Sequence, residues 1–174
     1  MGGAIVSLIL VAVMITTGLG FSRVAIKSVD DLSQSWKAAQ KASLDETRTD
    51  FALVRADEGA GVVSIYLKNS GQLQLDGYKN WDVIAQYYDG NGVYYIKNLE
   101  YAPASMAGPN KWTVHSIYAN QALTEFEVYQ PGIVDPGEVA ELQLNISPSP
   151  GSGQLGWIII SNQNGLTGSI QFQG

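Results

Sequence analysis

Few side chains in this sequence could do chemistry. Its 174 residues hold one histidine, His115, and no cysteine. Thiolate nucleophiles, disulfides and cysteine metal sites are therefore absent, and one imidazole cannot build a zinc site. His115 falls in an alternating segment, 111–118, and reads as a strand residue. Gly151-Ser152-Gly153-Gln154-Leu155-Gly156 matches G-x-G-x-x-G. Phosphate binding needs that motif between a strand and a helix N-terminus; here a Pro/Ser loop precedes it and a strand follows, so the match is accidental. Asp89 and Asn91 offer oxygens to calcium without meeting the EF-hand pattern. Asp57 and Glu58 have no partner acid and read as solvated loop charges. Tyr87, Tyr88, Tyr94, Tyr95 and Tyr101 could stack on sugars, but aromatics at this spacing in a sheet more simply pack across strands. Asn145-Ile146-Ser147 is the one N-x-S/T triplet, which makes Asn145 the candidate N-glycosylation site, although Pro148 directly behind it is unfavourable. The expectation is no enzyme, no cofactor and no metal.

The elements that carry these residues change character along the chain. From Thr49 onward apolar residues alternate with polar ones, and turn residues recur every eight to twelve positions, the pattern of an all-β sandwich. Segments 51–55, 62–68, 72–75, 81–88, 93–99, 111–118, 123–129, 139–146, 157–161 and 166–172 read as the strand segments of a head of about nine strands. Asp89-Gly90-Asn91-Gly92 and Asn162-Gln163-Asn164-Gly165 mark hairpin turns, because Gly and Asn tolerate positive φ. The alternation shows no long apolar patch on the head.

The N-terminal part is different in kind. The 22 residues from Met1 to Ser22 carry no charge, about the number that crosses a bilayer as a helix. A helical pattern then continues to about Ala42, with Ala25, Val29, Leu32, Trp36 and Ala39 at steps of four and three, a heptad-like seam facing a neighbour. Gly18 and Gly20 interrupt the apolar part and mark a bend or a close helix contact. A plain anchor has no need of the amphipathic extension, whereas a subunit that buries its helix against copies of itself does. Ile5, Leu8, Ile9, Val11, Val13 and Ile15, with Ala25, Val29, Leu32 and Trp36 of the seam, are the candidate polymerisation residues. Nothing basic precedes the apolar run, so a signal peptide is not indicated; a short basic leader cut from in front of Met1 is expected.

Charge divides the same way. Residues 1–43 carry a net +2, and the remainder sets 6 basic residues against 14 acidic ones. Such a head repels phosphate backbones, so nucleic acid is excluded as a partner.

The helix from Gly2 to Lys41, the segment Ile65-Tyr66-Leu67-Lys68-Asn69-Ser70-Gly71, and Asp135-Pro136-Gly137-Glu138 leading into 139–144 together resemble archaellin, the archaeal flagellin, and more broadly the type IV pilin-like superfamily. Bacterial type IV pilins usually have a glutamate near the mature N-terminus where this chain has Ile5, and archaellins generally lack it. The resemblance implies an extracellular filament of cell motility, a homopolymer resident in the membrane before assembly and often decorated with glycans. The expected fold class is α+β: a long N-terminal hydrophobic α-helix, 1–43, followed by an all-β immunoglobulin-like sandwich head, 44–174. An adhesive type IV pilin-like pilus and a membrane-anchored β-sandwich binding or stator module are the alternatives.

Overall fold

A computed structural model describes the backbone of residues 2–59, 61–103 and 108–174, and the side chains of these except residues 2, 4 and 18–25. The chain divides into two compact units, residues 1–43 and 44–174. Helix α1 (Gly2–Arg48) is followed by strands β1 (Phe51–Gly59), β2 (Val62–Asn69), β3 (Asp82–Tyr88), β4 (Tyr94–Tyr101), β5 (Lys111–Tyr118), β6 (Val139–Asn145), β7 (Leu155–Ser161) and β8 (Thr167–Gln173), with a one-turn 3-10 helix at Tyr78–Asn80.

The strands run in the order β1-β2-β6-β5-β4-β3-β7-β8. All neighbours are antiparallel except β4 and β5, whose short parallel pairing joins Glu100 to Lys111 and Tyr101 to Trp112. The order folds into two halves, β1-β2-β6-β5 and β4-β3-β7-β8. Alternate residues face inward: Val63, Ile65 and Leu67 of β2, Leu142 and Leu144 of β6, Val83 and Ala85 of β3, and Ile158 and Ile160 of β7 are all buried. At roughly 1.5–3 kcal/mol for each large apolar side chain fully removed from water, this layer holds the head together without disulfides. One end of the core is aromatic. Trp112 lies 4.8 Å from Tyr101 and 6.4 Å from Trp81, ring centroid to centroid, and Trp81 meets Tyr78 edge-on at 5.1 Å. Buried in this cluster, Trp112 Nε1 finds no oxygen or nitrogen acceptor among the described residues.

The expected fold class is corrected on two counts. The expectation of a long hydrophobic helix fails because, among the described residues, no helix is long and apolar enough to cross a membrane. Asp30, Asp31, Lys37 and Lys41 put charge along the C-terminal half of α1, and Thr16 and Thr17 add hydroxyls to its N-terminal half. The head is β-sandwich-like, but its eight strands form one mostly antiparallel order with a parallel junction, in place of about nine strands in an immunoglobulin-like arrangement.

Two expected strands have become loops for visible reasons. In 72–75 only Leu75 pairs, by an isolated bridge to Val134. The loop is held instead by Asn69, whose Nδ2 donates to Leu73 O and Val134 O at 2.8 Å each. In 123–129 the chain turns at Leu123, with φ of 58°, and Asn120 Oδ1 accepts from Thr124 N at 3.1 Å. What is left of that strand is a bridge between Tyr118 and Phe126.

Candidate assembly surfaces

On α1 the apolar side chains are not buried. Ile5, Leu8, Ile9, Val11, Val13, Ile15, Val29, Leu32 and Trp36 are all solvent-exposed, Trp36 by 71%. The side chain of Ala25 lies outside the described residues, as do the surroundings of Gly18 and Gly20. Val6, Leu10, Met14 and Ile26 are exposed too. Val6, Leu10 and Met14 interleave with Ile5, Leu8, Ile9, Val11, Val13 and Ile15, so apolar surface spreads over more than one side of the helix there. The polar groups within the apolar part are satisfied locally. Thr16 Oγ1 donates to Ala12 O at 3.0 Å and Thr17 Oγ1 to Val13 O at 2.8 Å. Hydroxyls that bond back to their own helix can be buried without stranding a donor.

The head has a second apolar surface, contrary to the expectation of none. Register places Ile96, Gln86, Trp157 and Gln171 in one row across β4-β3-β7-β8. Tyr94 and Tyr88 lie in the next row, and Asn98, Ile84, Ile159 and Ser169 in the row on the other side. Ile96 is 63% and Trp157 44% exposed. No residue named in these rows is charged. The outer face of the other half is charged: Arg55 pairs with Asp57 at 2.6 Å and stacks its guanidinium 4.1 Å over the Tyr66 ring, and Lys68 and Glu141 share that side. The alternation was legible, but the polar positions that would break the patch are here filled by isoleucine, tryptophan and tyrosine.

The residues with chemical potential are occupied by the fold. Tyr87 stacks on Tyr95 at 5.7 Å and Tyr88 contacts Tyr94 at 5.0 Å, cross-strand pairs within the β3–β4 hairpin. The Tyr87 hydroxyl donates to Pro148 O at 2.8 Å, and burial pushes its pKa up to about 12. Asp89 spends Oδ1 on the backbone N–H groups of Asn91 and Val93, which leaves it poorly placed to hold a cation. Asp57 and Glu58 belong to β1 rather than to a loop, and Glu58 Oε1 accepts from Gly61 N at 3.0 Å. Among the described residues no group of three acids or histidines could hold a metal ion. In the G-x-G-x-x-G match, Gly153 takes φ of 73° in a turn and Gly156 lies in a strand against Phe172; neither heads a helix. Asn145 Nδ2, the atom a glycan would occupy, donates to Gly108 O at 2.9 Å.

His115 sits at a bulge in β5 and lines an open cleft of about 390 Å³ with Tyr78, Tyr101, Val114, Phe126 and Glu127. Glu127 is turned into its own loop, where Oε1 accepts from Gln130 N at 3.0 Å. Its carboxyl interacts with that of Glu138. The hydrogen bond to Glu138 holds Glu127 below the usual range, while burial raises Glu138.

A model of the archaeal-type flagellin family matches residues 2–172. The chain belongs to the archaeal-type flagellin family. This flagellin is thus a structural component of the archaellum, the motility filament of the archaeal cell surface, and comes from a family of filament proteins rather than enzymes. No curated protein matches the flagellin in sequence. Among solved structures, the archaeal flagellum of Methanospirillum hungatei strain JF1 shares its fold at 13% identity and a TM-score of 0.57, covering 98% of this chain and 92% of that one. The archaellum periplasmic stator protein FlaG from Sulfolobus acidocaldarius aligns at 22% identity and a TM-score of 0.49, over 71% of this chain and 99% of that one. The stator complex of FlaF and FlaG from the same organism aligns at 23% identity and a TM-score of 0.49, over 70% and 87%.

Proposed function

We propose that this flagellin is the filament subunit of an archaellum, polymerising with identical copies through α1. The observation that carries the reading is the 47-residue helix on which the described large apolar side chains, Ile5 to Ile15 and Ile26 to Trp36, face solvent in the single chain. Water-exposed apolar area on this scale is costly, and only other molecules can cover it. Even half-burial of the nine described candidate residues releases on the order of 10 kcal/mol per subunit. The internally bonded hydroxyls of Thr16 and Thr17 let the same surface pack without unpaired donors. On this reading the helices occupy the filament interior and the acidic heads its exterior, where like charge keeps neighbouring filaments apart.

Electron microscopy of the purified full chain tests the proposal. Continuous filaments are expected. Discrete particles of fixed stoichiometry under every assembly condition would instead assign it to a stator or an anchored binding module.

A further inference from the structure

The head carries two apolar surfaces on different parts of its fold. One is the outer face of β4-β3-β7-β8 around Ile96 and Trp157, whose charged residues, Asp82 and Glu100, lie beyond the Asn98–Ile84–Ile159 row. The other is the segment 126–129 beside β5. Its backbone is held firmly: Glu127 N donates to Ile117 O at 2.8 Å, and the Phe126 ring stacks on Tyr118 at 4.9 Å. The Glu127 carboxylate folds back onto the N–H groups of Tyr129 and Gln130. Val128 and Tyr129 are left standing in solvent, Tyr129 by 94%. An anchored backbone that presents an exposed aromatic has little ordering entropy left to lose on contact.

We infer that in the filament the Val128–Tyr129 knob of one copy packs on the Ile96–Trp157 face of the next copy, a head-to-head contact repeated along the polymer. The inference rests on the filament-subunit reading and adds the head surfaces that reading leaves unassigned. Three observations select a second copy as the occupant. Two unlike surfaces on one molecule make a heterologous contact, which propagates without closing; a face that met its own copy would close a dimer. The head is acidic, and the rows around Ile96 and Trp157 hold no charge while the knob's own carboxylate, Glu127, is turned back onto its loop, so two such heads meet here with the least repulsion. The face spans roughly 350 Å² from strand spacing and rise, less than half of the ~800 Å² per partner of a standard stable interface. It is too small to hold a free dimer and sufficient for a contact supported by a helix core.

The chain has no cysteine, so engineered thiols report alone. Full-length chain carrying both Tyr129→Cys and Trp157→Cys is assembled and treated with a short bis-maleimide. A ladder of covalent dimers, trimers and higher oligomers is expected on a denaturing gel, with no ladder from either single variant. Dimers from Trp157→Cys alone would show the face meeting itself and overturn the inference. Filaments that form normally but give no ladder would overturn it while leaving the filament function standing; failure of the unmodified chain to form filaments would remove both. Val128→Lys, on a solvent-facing side chain that the head's fold does not use, should raise the critical concentration for assembly at least tenfold. An unchanged value would overturn the inference.

Discussion

Asp89 and Val93 close the β3–β4 turn with two hydrogen bonds of opposite sense: Asp89 N donates to Val93 O at 2.9 Å, and Val93 N donates to Asp89 Oδ1 at 2.8 Å. The N–H of Val93, and after it that of Asn91, hold the Asp89 carboxyl below the usual carboxylate range. A carboxyl whose folded pKa is depressed binds its proton less readily than in the unfolded chain. Its stabilising contribution is therefore complete above the unfolded pKa, near 4, and is lost as pH falls through the lower folded pKa. Urea unfolding at about pH 7 and about pH 3 should show a drop in midpoint for the natural chain. Asp89→Ala should have a lower midpoint at neutral pH and a smaller drop on acidification.

Charge placed in the helix seam should stop assembly without unfolding the head. If α1 packs against neighbouring copies as proposed, Leu32→Asp puts an unpaired carboxylate into that contact, at a cost of several kcal/mol for each subunit. Pelleted polymer should vanish while the tryptophan fluorescence and β-sheet circular dichroism of the head persist. Normal filaments from this variant would show that the face around Leu32 stays in water.

Gly156 has no room for a methyl group. A Cβ there would sit 2.5 Å from Cε1 of Phe172, a ring that is itself buried. Gly156→Ala should destabilise the head by about 1–3 kcal/mol through overpacking, visible as a lower melting temperature. The paired change Gly156→Ala with Phe172→Leu should recover part of the loss.

Asn145 is predicted to remain without a glycan. Its Nδ2 is committed to Gly108 O, and the following Ile146 is buried. Intact-mass measurement of filaments from the native host checks this, and a sugar mass on the peptide containing Asn145 would show that the bond to Gly108 is given up.

Much of the head was legible because local rules and tertiary demands agree there. Both ends of Lys111–Tyr118 coincide with the strand found, although the bulge at His115 interrupts its alternation. The turn at residues 89–92 contains the Gly and Asn that a tight hairpin requires. What escaped the sequence depends on distant partners. Segments 72–75 and 123–129 have strand-like residues, but Asn69 holds Leu73 O in the first, and in the second Asn120 caps a turn at Thr124 that leaves only a short bridge to the end of β5. The apolar sheet face escaped because alternation identifies which residues share a side, while the rows across β4, β3 and β7 exist only once register aligns Ile96, Gln86 and Trp157. On α1 the exposed Val6, Leu10 and Met14 lie in the uncharged stretch before the 25–39 seam, where apolar residues follow no single stripe.

The two terminal strands of the sheet order, β1 and β8, come together through side chains. A Cβ on Gly168 would lie 2.8 Å from the Phe51 ring and 3.5 Å from Leu53. The two ends of the sheet thus meet side chain to side chain at this point, and any residue larger than glycine at 168 would have to push β8 away from β1.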